Sequence, residues 1–535
     1  MKKFLLTLAA ACAVTAASAA VDDLTKVWEH SIENAYTADA KAWNAPLAID
    51  ADGNVIATGA FTKDFTIAGF DFEAIGTSAY VIKYDKAGDI MWAVSFTGAA
   101  SINAIDTDAV GNIYIAGTFA DNVSFGTTSG SPIEKDGMKI DDAFTTKQNA
   151  SFIAKYSADG SLVAVETFVP ELHAEPLEHQ FDDPDNGGTP YWFNDGDIYF
   201  ELKDIKVVND KVYASATYTG VTKNNNIEFS APYVVYAWFM YQDVAASSIF
   251  VLDASDLKIQ QKLVTAAYNG ENATGVLDTS ACWSARFDVH NDVVLAAFAA
   301  SGEIALTDAN GSQTVNEYDP VFILAKIQDG KIVAQNTTAA ISTMTVADNS
   351  FANISFNEEK AVAVGRKLVV ETQEGSSDEI KHQNIFVANI SDDLTLDFNL
   401  FEKSVDGINY YTIASSAFLP SGEIYINTLG YNAGGNFAEV VKSFVYANNA
   451  FADATTVADA VGVASTDTYV AFSQIGETGA IFTLYNDNAA GIDDITVDDS
   501  NSPVEYFNLQ GVRVANPENG LFIVRQGSKT SKVVK

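Results

Sequence analysis

Short apolar runs, some alternating with polar residues and some continuous, recur along most of the chain between clusters of Asp, Asn and Gly. They predict strands joined by tight turns. The pattern is plainest over residues 46–168, where it occurs twice. Asp50, Gly53, Asn54, Gly59 and Phe61 return 58 positions later as Asp108, Gly111, Asn112, Gly117 and Phe119. Tyr80-Val-Ile-Lys83-Tyr84, Gly88 and Phe96 return 72 positions later as Phe152-Ile-Ala-Lys155-Tyr156, Gly160 and Phe168. The change of offset places an insertion of about 14 residues between the second and third strands of the second copy and leaves its strands intact.

Each copy reads as four strands, with Asp and Gly supplying the backbone angles of the turns from first to second and from third to fourth strand. Five fainter units follow, opening at Leu202, Trp283, Phe351, Thr412 and Val461. The seventh offers strands at 461–464, 469–472 and 480–485 and lacks a fourth. A strand at 26–33 has no partner nearby and is similar to 90–96, with Trp28 falling on Trp92, Ser31 on Ser95 and Ile32 on Phe96. A circular sheet array loses its last free edge when an N-terminal strand completes its final unit. The expected fold class is therefore all-β, a seven-bladed β-propeller closed by residues 26–33. The expected domains are a signal peptide (1–20), the propeller (21–486), an acidic linker (487–503) and a small β-rich C-terminal domain (504–535).

The forms [AD]-x-D-A-x-G-N-[IV]-x-[AI]-x-G-x-F and [FY]-[IV]-x-K-Y-x-x-x-G resemble the SBBP-type β-propeller repeat of secreted bacterial proteins. The likeness is good over 46–168 and weak over 201–486, where Gly-Asn and Lys-Tyr are mostly lost. It implies a propeller and a secreted setting, and it carries no shared catalytic residues. In the tail, 506–514, 520–524 and 532–535 resemble the C-terminal sorting domains of type IX secretion cargo in Bacteroidota. That resemblance implies display outside the cell, although the segment is shorter than the full family domain.

Composition agrees with a large packed β core: 48% of residues are hydrophobic and 11% aromatic, against only 11 Pro. The net charge is −39, and it reaches −41 once Lys2 and Lys3 leave with the leader. Such a field repels phosphate backbones and anionic lipid, so nucleic acid is excluded as a partner class. Residues 1–20 combine Lys2-Lys3, an apolar run at 4–14 and Ala17-Ser18-Ala19-Ala20, the parts of an export signal, and the mature chain is expected to start near Val21. The apolar run is too short to span a bilayer, and no transmembrane segment is expected. The expected location is extracellular or cell-surface, with the periplasm as the other possibility, and the expected state is a monomer. Only Cys282 then remains, which reads as a small buried hydrophobe.

All the long insertions (120–150, 169–199, 220–246, 266–280, 301–319, 367–383) fall on connections of one face, so that face is expected to carry any binding function. Its densest candidate holds His173, His179, Asp182, Asp183, Asp185, Tyr191, Trp192 and Phe193, with Glu171, Glu175, Glu178, Asp195 and Asp197 nearby. Carboxylates with imidazole suit a divalent metal, and carboxylates beside aromatics suit a glycan; a solvated acidic loop is the plainer reading. No cofactor is evident. Ca²⁺ is a possibility at 182–188, whereas the Asp residues at 50–54 and 106–108 read as turn chemistry. The apolar stretch 233–241 reads as an extra strand or an exposed patch. No phosphate loop, nucleophile elbow, zincin or paired-cysteine motif is present. Two functions stay open: a binding protein for a protein, peptide or glycan, and a carbohydrate-active enzyme with carboxylates at the channel mouth.

Overall fold

The computed structural model describes residues 24–35, 46–138, 148–172, 181–183, 189–191, 193–194, 197–237, 240–269, 281–316, 320–339, 350–356, 360–372, 379–401, 408–419, 422–432, 440–487, 504–508, 513–515, 517, 521–526 and 529–534. Among them there are strands and turns and no helix. The chain divides into a unit at 1–487 and a second at 488–535. The second contains a sheet of Val504–Phe507, Leu521–Gln526 and Lys529–Val534, antiparallel throughout. Arg513 pairs there with Glu505 at 3.1 Å.

Within 1–487 the strands pair in fours. Leu47–Ile49, Val55–Phe61, Ser78–Tyr84 and the start of Ile90–Thr107 form unit 1. The rest of Ile90–Thr107 continues into unit 2 with Ile113–Phe125, Gln148–Tyr156 and Leu162–Phe168. Unit 3 is Ile198–Val208, Lys211–Tyr218, Ala246–Asp253 and Ile259–Tyr268. Unit 4 is Ala281–His290, Val293–Ser301, Val321–Gln328 and Lys331–Ala339. Unit 5 is Ser350–Phe356, Ala361–Thr372, Glu379–Ile390 and Leu396–Leu400. Unit 6 is Ile408–Phe418, Ile424–Asn432, Val440–Ala447 and Ala450–Asp453. The last three C-terminal strands, Ala460–Ser465, Tyr469–Ile475 and Gly479–Asp487, are joined by Leu24–Glu33, which runs antiparallel to Gly479–Asp487 from Leu24 opposite Asp487 to Glu33 opposite Gly479. This set is unit 7.

Two irregularities repeat with the units. The ladder between first and second strands skips a residue of the first strand in each of units 2 to 7, at Asn103, Lys203, Trp283, Ala352, Ala414 and Val461, and in unit 6 also at Asn409. Fourth strands bulge as well. Met91, Val163, Val333 and, in the N-terminal strand, Val27 are skipped in the pairing. These are the exposed apolar residues of those strands, because a bulge turns its extra side chain away from the sheet face.

Successive units lock through the same positions. Lys83 of unit 1 and Lys155 of unit 2 each donate to a carbonyl in the next unit's turn, Ala158 at 3.4 Å and Ala254 at 2.7 Å. Lys83 also pairs with Asp50 at 2.9 Å, with both side chains 2% exposed. The lysine shared by the two best repeats is thus a clamp between units. Gly160 has φ +83° and Gly88 φ +94°, and a Cβ on either would run into an aromatic residue of the preceding fourth strand, Trp92 and Trp28 respectively. Each turn therefore needs glycine twice over, for its backbone angle and for the indole lying on it.

The insertions are less free than the sequence implies. Phe125 and Ser124 of unit 2 pair with Phe96 and Thr97 at the end of unit 1. The hairpin Val221–Asn224/Ile227–Ser230 of unit 3 pairs with Pro170–Glu171, just after unit 2. The hairpin Ile304–Asp308/Gly311–Asn316 of unit 4 pairs with Thr265 to Tyr268 of unit 3. Each covers part of the preceding unit's outer edge, which would otherwise be open to pairing with another chain. Much of 367–383 is likewise strand: Lys367 to Thr372 pair with Asn384 to Glu379.

Candidate functional site

Of the eight residues singled out in the acidic insertion, His173, His179, Asp185 and Trp192 lie outside the described residues. Asp182 and Asp183 pair with Pro190 and Thr189 in a two-stranded ladder that also contains Tyr191. Phe193 pairs in parallel with Met240. The stretch at 233–241 contributes Tyr233–Ala237 and Met240–Asp243 to that same small sheet. Two pieces of the insertion face are thus joined by backbone pairing. Among the described residues no group of three His, Cys, Asp or Glu is placed to hold a metal. Asp50 and Asp108 use their carboxylate oxygens on turn donors, including the Asn54 and Asn112 N–H groups at 2.9 Å each. Cys282 is buried, and burial pushes its thiol up to about 12.

The structure points to a second locus, where the first strands converge. Leu47, Asn103, Lys203, Arg286, Asn353, Ser415 and Val463, one from each of units 1 to 7, line a single cavity of about 230 Å³. A second cavity of about 400 Å³ continues along the same strands and shares Leu47, Ile105, Asp204, Asn353, Ser416 and Val463 with it. In an antiparallel four-strand unit the first strand starts on the face that carries the second-to-third connection. The cavity containing Asn103, Lys203, Ala352, Ala414 and Val461 therefore opens at the insertion face, and all five are bulge residues.

Charge is concentrated on the wall formed by units 2 to 4. Lys206 pairs with Asp288 at 3.2 Å. The second oxygen of Asp288 accepts from the Phe356 N–H at 2.8 Å, and Asp106 accepts from the Val207 N–H at 2.7 Å, so both carboxylates also tie one first strand to the next. Burial lowers the affinity of Lys206 for its proton, but Asp288, Asp106 and Asp204 outweigh burial and hold it above the ordinary lysine value. Asp204 is surrounded by protein yet touches the lumen. Burial pushes its carboxyl up to about 6 despite Arg286 and Lys206. Burial also lowers Arg286, against the pull of Asp204. The opposite wall is nearly neutral: Leu47, Ala352, Asn353, Ala414, Ser415, Ser416, Val461 and Val463.

Sequence reasoning placed possible carboxylates at a channel mouth without identifying them. Asp204 and Asp288 read only as polar positions in faint strands, and Asp106 read as part of a turn, whereas the structure places it in the strand Ile90–Thr107 with its carboxylate on the Val207 N–H. The signal that marks all three is their place late in a first strand.

No known protein-family profile matches the chain. A stretch of 142 residues is 31% identical to an uncharacterized WD repeat-containing protein of Acanthamoeba polyphaga mimivirus, covering 23% of this chain and 10% of that protein. The chain thus spans about a tenth of the curated relative it matches. Among solved structures, the Dos1 propeller is similar at TM-score 0.37 and 10% identity, over 88% of this chain and 97% of that one. The β-propeller domain of the trilobed protease of Pyrococcus furiosus is similar at TM-score 0.34 and 8% identity, over 91% and 97%. A thermostable family-43 glycoside hydrolase is similar at TM-score 0.30 and 9% identity, over 68% and 95%. The strand pairing above describes a β-propeller repeat protein on its own terms.

Proposed function

We propose that residues 24–487 form a seven-bladed propeller of SBBP type, closed by Leu24–Glu33, that acts outside the cytoplasm as a binding protein for a glycan, peptide or protein. The observation that carries the binding role is the cavity to which all seven first strands contribute and which opens among the bulge residues of the insertion face. A rigid wall of strands with bulge residues at its rim suits recognition, since a bulge aims its extra side chain out of the regular ladder. The mature protein is expected to bind members of a glycan and peptide array, and Lys203→Ala together with Trp192→Ala is expected to abolish that binding. Unchanged array binding by both variants would defeat the assignment of the face.

Export is part of the same proposal. N-terminal sequencing of the secreted protein is expected to begin near Val21, and removal of 488–535 is expected to abolish surface display in a host with type IX secretion. A second reading, polysaccharide hydrolysis, is favoured by one observation: Asp204 faces the lumen with its carboxyl raised to about 6, as a general acid requires. Under that reading Asp204→Asn abolishes turnover while leaving array binding intact.

A further inference from the structure

On the insertion side of the channel, a cavity of about 260 Å³ is lined by Lys203, Trp283, Arg286, Ser350, Arg366, Thr412 and Ser415, among others. Three of the chain's 31 basic residues thus meet in one small space, in a protein whose net charge is −39. Chance placement on so acidic a surface does not favour that convergence, and long-range attraction cannot be its purpose, because the field of the whole molecule repels anions. The cations are positioned by protein groups. Arg286 donates from Nε to the Ala352 carbonyl at 3.0 Å and from Nη1 to the Ala285 carbonyl at 3.0 Å, both neutral acceptors, and Asp204 is the carboxylate that acts on it from the adjoining wall. Arg366 donates to Ser350 Oγ at 2.9 Å and to Thr412 Oγ1 at 3.1 Å. Lys203 pairs with Glu201. Toward the tight-turn face the balance reverses, where Asp106, Asp204 and Asp288 face Lys206. The lumen is polarised along its length, positive where it opens to the insertions and negative beyond.

A guanidinium deep in a channel wall, with neutral acceptors on two of its nitrogens, favours an incoming anion, and its planar fork matches a carboxylate. The same cavity presents the hydroxyls of Ser350, Thr412 and Ser415 and the indole of Trp283. Hydroxyl groups with an aromatic surface suit the polar rim and apolar face of a sugar ring, and the volume suits one residue rather than a chain. We propose that this cavity binds a carboxylate-bearing sugar residue, its carboxylate toward Arg286 and Arg366 and its ring against Trp283. This deepens the binding role proposed above and rests on it.

The test uses the mature full chain and calorimetric titration with D-glucuronate, D-glucose and acetate. A ligand this small is expected to bind with a Kd on the order of 1 mM. Glucose and acetate are expected to bind at least tenfold more weakly, since each supplies half of the recognised chemistry. Arg366→Gln is expected to weaken glucuronate at least tenfold with an unchanged melting temperature, and Lys203→Gln serves if that variant does not fold. Glucose or acetate binding as tightly as glucuronate would overturn the inference, as would retention of glucuronate by a folded Arg366→Gln. If neutral glycans or peptides bind on the array while glucuronate does not, the anionic site falls and the binding role stands. If both are silent, both fall.

Discussion

The joint between units 1 and 2 and the joint between units 7 and 1 have the same shape and different chemistry. In the first, Trp92 lies on the Gly160 turn and donates from Nε1 to the Ala158 carbonyl at 3.0 Å, while the Tyr156 hydroxyl donates to the Gly126 carbonyl at 2.8 Å. In the second, Trp28 lies on the Gly88 turn, and Trp28, His30 and Tyr84 pack with ring centroids 5.1 to 5.2 Å apart. There Trp28 Nε1, His30 Nε2 and the Tyr84 hydroxyl are buried and make no hydrogen bond. Ring packing is present at the joint that the N-terminal strand makes with unit 1, and the polar contacts of the first joint are absent there among the described residues. Desolvating a donor without a partner costs about 1–3 kcal/mol, so the second joint is the weaker of two similar contacts.

Removing residues 24–33 should produce the largest effect. It takes away Leu24, Trp28 and Ile32, all buried, and exposes the edge of Gly479–Asp487. Burial of three such side chains is worth about 5–8 kcal/mol, so calorimetry should show loss of cooperative unfolding for the whole of 46–487. Deleting 488–535 should move the melting temperature by no more than about 2 °C. The opposite ranking would show that the N-terminal strand is dispensable to the array.

Lys83→Ala should cost about 3–5 kcal/mol, because it strands the buried Asp50 carboxylate. Burial raises the Asp50 carboxyl, but Lys83 and Asn54 outweigh it and the net shift is downward. A carboxyl lowered in the folded state adds stability that is present above its unfolded value, near 3.8, and is lost as pH falls through the folded value. Acid titration of the wild type should therefore reveal a loss of stability below that value, and Lys83→Ala should lack it. Trp92→Ala and Trp28→Ala should each cost about 3–5 kcal/mol by cavity formation. The finest distinction comes from phenylalanine: Trp92→Phe should cost about 1 kcal/mol more than Trp28→Phe, because only Trp92 loses a hydrogen bond. Equal urea midpoints for the two would erase the difference between the joints.

Strand positions were legible wherever turn chemistry and apolar runs coincided, and the partner of the N-terminal strand was legible because Trp28 occupies the position of Trp92 in a local pattern. The roles of Lys83 and Lys155 were not, since their acceptors are carbonyls 75 and 99 positions away and any residue supplies a carbonyl. The hairpins that cover neighbouring edges escaped detection for a related reason: backbone pairing leaves little trace in side-chain identity. The charged channel wall was hidden because Asp204, Lys206 and Asp288 belong to strands remote in sequence, and only the convergence of those strands makes them a group.

The bulge residues of the first strands have an evolutionary consequence. A substitution at a laddered position must satisfy a neighbour above, a neighbour below and the packing between sheets, whereas Asn103, Lys203, Ala352, Ala414 and Val461 are skipped in the ladder with the second strand and line a common cavity. Ala352, Ala414 and Val461 behave like dials set around one opening, whereas Asn103, which donates to the Leu202 carbonyl at 3.0 Å, and Lys203, paired with Glu201, are also tied to their neighbours. Substitution at these positions can thus change the lining of the cavity while the strand ladders are inherited unchanged.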